Sequence, residues 1–134
     1  MRLSPLDWAV TLNWLGPACW KGSGPLLTDL QSLRELLTRS VQQSGLTAVA
    51  ERFHAFEPAG SGITGVLLLA ESHLAVHTWP EQQAVTLDLY VCNHSGDNSA
   101  KAEALWQALQ AGFAPQQARL QRVQRGALTM RSNL

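Results

Sequence analysis

No apolar stretch in this chain approaches the roughly 20 residues that a membrane helix needs, so a protein that spans a bilayer by helices is not expected. Cysteine is scarce: Cys19 and Cys92 are the only two in 134 residues, too few for a disulfide framework. Neither sign of charge prevails, since ten basic residues stand against ten acidic ones. Without a charge excess or a block of like charges, no broad field draws in nucleic acid or an anionic membrane, and the expected partner is a small molecule. The amino-terminal stretch lacks a signal-peptide plan because Asp7 interrupts its short apolar segment. These absences point to a soluble cytoplasmic protein. The length of 134 residues suits one domain, 1–134, with a real core, and is too short for two ordinary ones.

Hydrophobic patterning supplies the elements. Trp8, Val10, Leu12 and Trp14 alternate with Asp7, Ala9, Thr11 and Asn13, the period of a strand with one buried face. A break rich in Gly and Pro follows from Gly16 to Pro25. Thr28 with Gln31 forms a capping box for a helix whose Leu26, Leu30, Leu33, Leu37 and Val41 share one side, and Gly45 supplies its stop. Leu46 to Phe56 reads as a strand ending in the loop Pro58 to Gly62. Val66 to Ala70 is too uniformly aliphatic to have a wet face and belongs in the centre of a sheet.

Leu74 to Thr78 and Val85 to Cys92 read as a hairpin across Trp79 to Gln83, where Pro80 forbids a continuous ladder. In the second of these strands Val85, Leu87, Leu89 and Val91 point one way, while Thr86, Asp88, Tyr90 and Cys92 point the other. Asn98 or Ser99 caps a second helix with Ala102, Trp106, Leu109 and Phe113 in a stripe, ended by Gly112 and Pro115. A last strand is expected near Arg119 to Val123. This order predicts an α+β two-layer domain, a mainly antiparallel sheet with two helices on one face. Five tryptophans are many for so short a chain, and some are expected to line a pocket or a subunit contact rather than a closed core.

Chemistry concentrates between Glu71 and Glu81, where a hydroxyl, two imidazoles and two carboxylates follow directly on an aliphatic strand. A serine at a tight strand end can turn its hydroxyl on the preceding carbonyl, here that of Glu71, if the local backbone favours attack. A base that then removes the Ser72 Cα proton expels the Glu71 carboxylate and leaves dehydroalanine, which hydrolyses to a pyruvoyl group. His77 suits the base, because an unperturbed imidazole titrates near pH 6.5. Thr64, on the neighbouring strand, is the hydroxyl that assists. Two other readings of the same residues remain. His73, His77, Cys92 and His94 offer zinc-type donors, in a spacing that matches no common zinc pattern. Cys92 with His77 offers a thiol nucleophile pair, outside any recognised local signature.

The stretch Gly65-Val66-Leu67-Leu68-Leu69-Ala70-Glu71-Ser72-His73-Leu74, with His77-Thr78-Trp79-Pro80-Glu81, resembles the self-cleavage site of the prokaryotic-type S-adenosylmethionine decarboxylases, pyruvoyl enzymes of polyamine synthesis. The resemblance covers Phe53 to Cys92. It implies cleavage between Glu71 and Ser72 into chains 1–71 and 72–134, with Ser72 becoming the pyruvoyl cofactor. It further implies His77 driving processing, Thr64 helping where the family usually has serine, and Cys92 donating a proton during turnover. Phe56, Leu74 and Glu81 occupy positions that the family uses toward the adenine and ribose of the substrate, and no metal is implied. The reaction implied is loss of the substrate carboxylate through a Schiff base to the pyruvoyl ketone, with S-adenosylmethionine as substrate. Ornithine or arginine as substrate, or an unprocessed regulatory homologue, are the alternatives. A homodimer that closes two sheets into a sandwich, with residues of both protomers at each site, is also implied.

Overall fold

The computed structural model describes residues 25–70, 72–92, 98–115 and 117–122. The strand expected over Trp8 to Trp14, most of the Gly16 to Pro25 break, Cys19, Glu71 and His94 lie outside them.

Helix α1 runs Leu30–Ser44. Its cap is Asp29 rather than Thr28. The Thr28 and Asp29 amides both donate to the Pro25 carbonyl, at 3.1 and 2.8 Å, so a tight turn carries the chain one residue further before the helix begins. Asp29 is the extended residue there, and its carboxylate accepts from the Ser32 amide at 3.0 Å, satisfying a donor that the first turn leaves open. Gln31, expected to complete the capping box, instead donates to Glu35 Oε1 at 3.0 Å. At the far end Gly45 takes φ +88° and its amide donates to the Gln42 carbonyl. That left-handed closure comes readily only to a residue without Cβ.

Four strands follow: β1 Ala48–Ala55, β2 Ile63–Leu69, β3 His73–Trp79 and β4 Ala84–Tyr90. They pair in chain order, every pair antiparallel. A 3-10 turn at Pro80–Gln82 joins β3 to β4. Helix α2 spans Ser99–Phe113. One side of the sheet carries Ile63, Leu67, Leu69, Leu74, Val76, Val85, Leu87 and Leu89, and these form a single core with Leu33, Leu37 and Val41 of α1 and Leu105, Trp106, Leu109 and Phe113 of α2. The two helices thus share one face of an antiparallel sheet, the expected α+β two-layer plan. Alternation in β4 agrees with the sequence pattern, Val85, Leu87, Leu89 and Val91 being buried and Thr86, Asp88, Tyr90 and Cys92 half-buried on the other side.

Three further expectations change. Gly112 lies inside α2 rather than at its end; a Cβ there would fall 2.3 Å from Leu36 Cδ1, so the glycine lets the two helices approach. The helix stops instead at Ala114, which takes the left-handed conformation. β2 is central but not dry on both sides, since Leu68 is 47% exposed: the helices cover one face only. Residues 117–122 form no strand; Leu120 packs on the core and Arg122 reaches Glu103 Oε2 at 3.0 Å, which draws the segment toward α2.

A buried hydroxyl ties the layers together. Thr78 Oγ1 donates to the Leu27 carbonyl at 2.7 Å and accepts from the Ile63 amide at 2.8 Å. The lead-in to α1 is thereby held to the end of the β2–β3 hairpin.

Candidate active site

Antiparallel register places the reactive side chains on the open face in rows that cross the strands. One row is His54, Thr64, His77 and Thr86; the next is Arg52, Val66, Ala75 and Asp88; the third is Ala50, Leu68, His73 and Tyr90. Hydroxyl and imidazole meet in the first row, with Thr64 Oγ1 3.0 Å from His77 Nδ1. When the hydroxyl accepts a hydrogen bond from Nδ1–H, the lone pair is left on Nε2 of an exposed ring, the form able to act as a base. Trp79 flanks the pair, its indole N–H donating to Thr86 Oγ1 at 3.3 Å and its ring centroid 6.4 Å from that of His77. Phe56, 49% exposed, stands edge-on to His54 with 4.8 Å between ring centroids. Glu81 is exposed in the turn after Trp79. All of these lie at one end of the sheet.

Ser72 lies at the other end. Its carbonyl accepts from the Leu69 amide at 2.8 Å, and its own amide donates to the Leu69 carbonyl at 3.3 Å. This reciprocal pair of hydrogen bonds ties Ser72 to Leu69 and closes the β2–β3 hairpin between them. Ser72 is half-buried and shares a cavity of about 130 Å³ with Gly45, Ala70, Asn98 and Lys101. Cys92 sits two residues past Tyr90, which faces His73, and is half-buried at this same end. Its carbonyl accepts from Asn98 Nδ2 at 2.9 Å.

Within one chain the predicted residues therefore form two groups, Thr64 with His77 and Ser72 near Cys92. His77 is five residue steps from Ser72 along the chain, roughly 16 Å at the usual strand rise. The Leu74 side chain belongs to neither group, for it is fully buried beneath the helices, and what it offers the open face is backbone alone.

The sequence reading left other residues of this face without a role. His73 stacks on Tyr90 with ring centroids 5.5 Å apart, and its Nε2 lies 3.4 Å from Asp88 Oδ2. Period-2 parity gave the signal for that cluster, which links neighbouring rows diagonally. Thr78, inside the motif, turns away to the buried contacts described above. No group of three or more His, Cys, Asp or Glu side chains able to hold a metal occurs among the described residues.

A four-stranded antiparallel meander with two helices on one face, and hydroxyl, imidazole and thiol groups on the other, defines a small two-layer α+β domain with its chemistry on the uncovered sheet. The sequence model described as S-adenosylmethionine decarboxylase matches residues 18–126, and the chain belongs to that family. A proenzyme of that name from Symbiobacterium thermophilum is 40% identical over 83 residues, 62% of this chain and 61% of the relative. One from Hydrogenobaculum is 42% identical over 85 residues, 63% and 60% of the two chains. The match thus spans about three fifths of the length of these curated relatives. The crystal structure of the adenosylmethionine decarboxylase from Aquifex aeolicus superposes with a TM-score of 0.77 at 30% identity, covering 97% of this chain and 98% of that one.

Proposed function

We propose that this chain is a self-cleaving proenzyme that decarboxylates S-adenosylmethionine, using a pyruvoyl group made from Ser72. The observation that carries the reading is the position of Ser72 directly after a two-residue turn, where its hydroxyl can reach back to the preceding carbonyl while the ladder holds both flanks. Membership of the family supports it, as do the relatives' names as proenzymes. The turn and the adjoining cavity have room for a ketone in place of the serine side chain.

His77 is the base for processing, with Thr64 holding its ring and setting which nitrogen is free. Because Ser72 and His77 are at opposite ends of β3, the working site is assembled from two chains. A two-fold axis lying between two open faces and perpendicular to the strands reverses strand direction, and so sets His77 of one chain over Ser72 of the other. Burying Leu68 and Trp79, 47% and 43% exposed in the single chain, favours that sandwich.

Once formed, the ketone supplies an electron sink for loss of carbon dioxide without a bound coenzyme. Cys92 Sγ delivers a proton to the substrate carbon while it remains a thiol. Phe56 offers its face to the adenine, and the Glu81 carboxylate accepts from the ribose hydroxyls. No helix of the described residues is long and apolar enough to cross a membrane.

A denaturing gel tests the reading. Two fragments, the carboxy-terminal one blocked to sequential degradation and starting at position 72 by mass, are expected; a chain that stays whole through long incubation sinks it. Carbon dioxide release from S-adenosylmethionine, ornithine and arginine then assigns the substrate.

A further inference from the structure

The cavity beside Ser72 is lined in part by a charged residue that the steps above leave unused. Lys101 lies in the first turn of α2 and lines the same 130 Å³ space as Ser72, Ala70 and Asn98. It has no ion-pair or hydrogen-bond partner among the described residues. A cation here adds to the positive end of the helix dipole instead of opposing it, and no acidic residue occupies that turn to offset it. Packing does not call for the charge either. The Lys101 methylenes lie against Gly45, with Cε 3.6 Å from where a Cβ on that glycine would be, and an uncharged side chain would fill the space as well. The Asn98 amide, by bonding to the Cys92 carbonyl at 2.9 Å, fixes the start of α2, and Lys101 with it, at the Ser72 end of the sheet.

We infer that Lys101 is a catalytic residue of self-cleavage, its ammonium receiving the carboxylate released when the chain breaks before Ser72. This rests on the self-cleavage proposed above. In the first step Ser72 Oγ adds to the preceding carbonyl carbon, the peptide C–N bond breaks, the hydroxyl proton passes to the nitrogen, and an ester remains. In the second step a base takes the Ser72 Cα proton while the Cβ–Oγ bond breaks, and the electron pair departs on the carboxylate. Negative charge passes transiently through the carbonyl oxygen in the first step and stays on the departing carboxylate in the second, and it is this second charge that a cation with no partner among the described residues is placed to receive. Water then hydrolyses the dehydroalanine, ammonia leaves, and the ketone is formed.

Cleavage of the full chain and of Lys101→Gln is followed after synthesis by denaturing gel, with parallel samples treated with hydroxylamine, which splits esters and spares peptide bonds. The expected result is cleavage slowed roughly ten- to hundredfold, the scale for losing one charge-assisted contact. The accumulated Lys101→Gln chain is expected to be split by hydroxylamine into a fragment that begins with unmodified Ser72. Lys101→Arg restores most of the rate. Circular dichroism and a thermal melt check the fold, and if Lys101→Gln is misfolded, Lys101→Met, which keeps the methylenes over Gly45, is read in its place. Wild-type kinetics in the folded variant overturn this role alone, as does a slow variant that resists hydroxylamine, since the block then precedes the ester. A wild-type chain that never fragments overturns the self-cleavage reading along with it.

Discussion

Thr64 and His77 face each other across the β2–β3 ladder, in register and joined by a 3.0 Å contact between hydroxyl and Nδ1. The threonine methyl stiffens χ1, yet the hydroxyl reaches the ring, so the departure from serine at this position leaves the pair intact. Thr64→Ser is expected to preserve processing, whereas Thr64→Val slows it by freeing the ring and its tautomer. His77→Ala removes the proposed base and is expected to slow processing by about 10²- to 10⁴-fold. The time course of fragment appearance on a denaturing gel measures all three, and equal rates for Thr64→Val and wild type contradict the positioning role.

Ser72→Ala is expected to abolish fragmentation altogether, because no other hydroxyl can replace the one that attacks. Cys92→Ala is expected to fragment normally and to lose most turnover. Normal carbon dioxide release by the cleaved Cys92→Ala protein would show that the proton comes from elsewhere.

The separation of Ser72 from His77 along β3 makes the proposed dimer testable by mixing. Ser72→Ala and His77→Ala are each expected to remain whole when made alone. Co-expressed, they give mixed dimers in which the His77→Ala chain keeps its serine and meets the intact imidazole of its partner. Cleavage of the His77→Ala chain alone, identified by a size tag, is the expected outcome. Failure to complement in dimers proven to be mixed would place the base in the same chain as the serine it serves.

Thr78 connects the Leu27 carbonyl and the Ile63 amide within the buried layer. Thr78→Val keeps the shape and leaves both backbone groups without their partner, a loss of about 1–3 kcal/mol. A lowered urea midpoint at an unchanged slope is the expected signature. A change under ~0.5 kcal/mol would mean that water replaces the hydroxyl.

Asp29 caps α1, and its hydrogen bonds to the Ser32 hydroxyl and amide hold the carboxyl below the ordinary aspartate value. The folded state thus binds this proton less readily than the unfolded chain. Its contribution to stability is full above the unfolded value, about 3.9, and disappears as pH falls through the lower folded value. Asp29→Asn is expected to melt lower than wild type at neutral pH and to converge with it in strong acid. A gap that stays constant across that range would remove the charge from the explanation.

Periodicity in the sequence was enough for the two helices, the meander and the burial parity of β4, because alternation and helical spacing report directly which side of an element meets the core. It misled where a neighbour decides the outcome. Thr28 lost the cap to Asp29 through a turn on Pro25. Gly112 serves the approach of Leu36 rather than a helix end. Residues 117–122 follow contacts to α2 and the core instead of adding a strand.

The residues from Ser72 to Cys92 determined by themselves what chemistry the chain offers, since a hydroxyl, an imidazole and a thiol carry their reactivity wherever they stand. Which of them meet was decided by the tertiary structure alone. Register brought Thr64 to His77, parity sent Leu74 into the core, and the length of β3 held Ser72 away from His77. Spacing along a sequence does not contain the pairing of strands, and an extended strand puts near neighbours in sequence at opposite ends of a sheet.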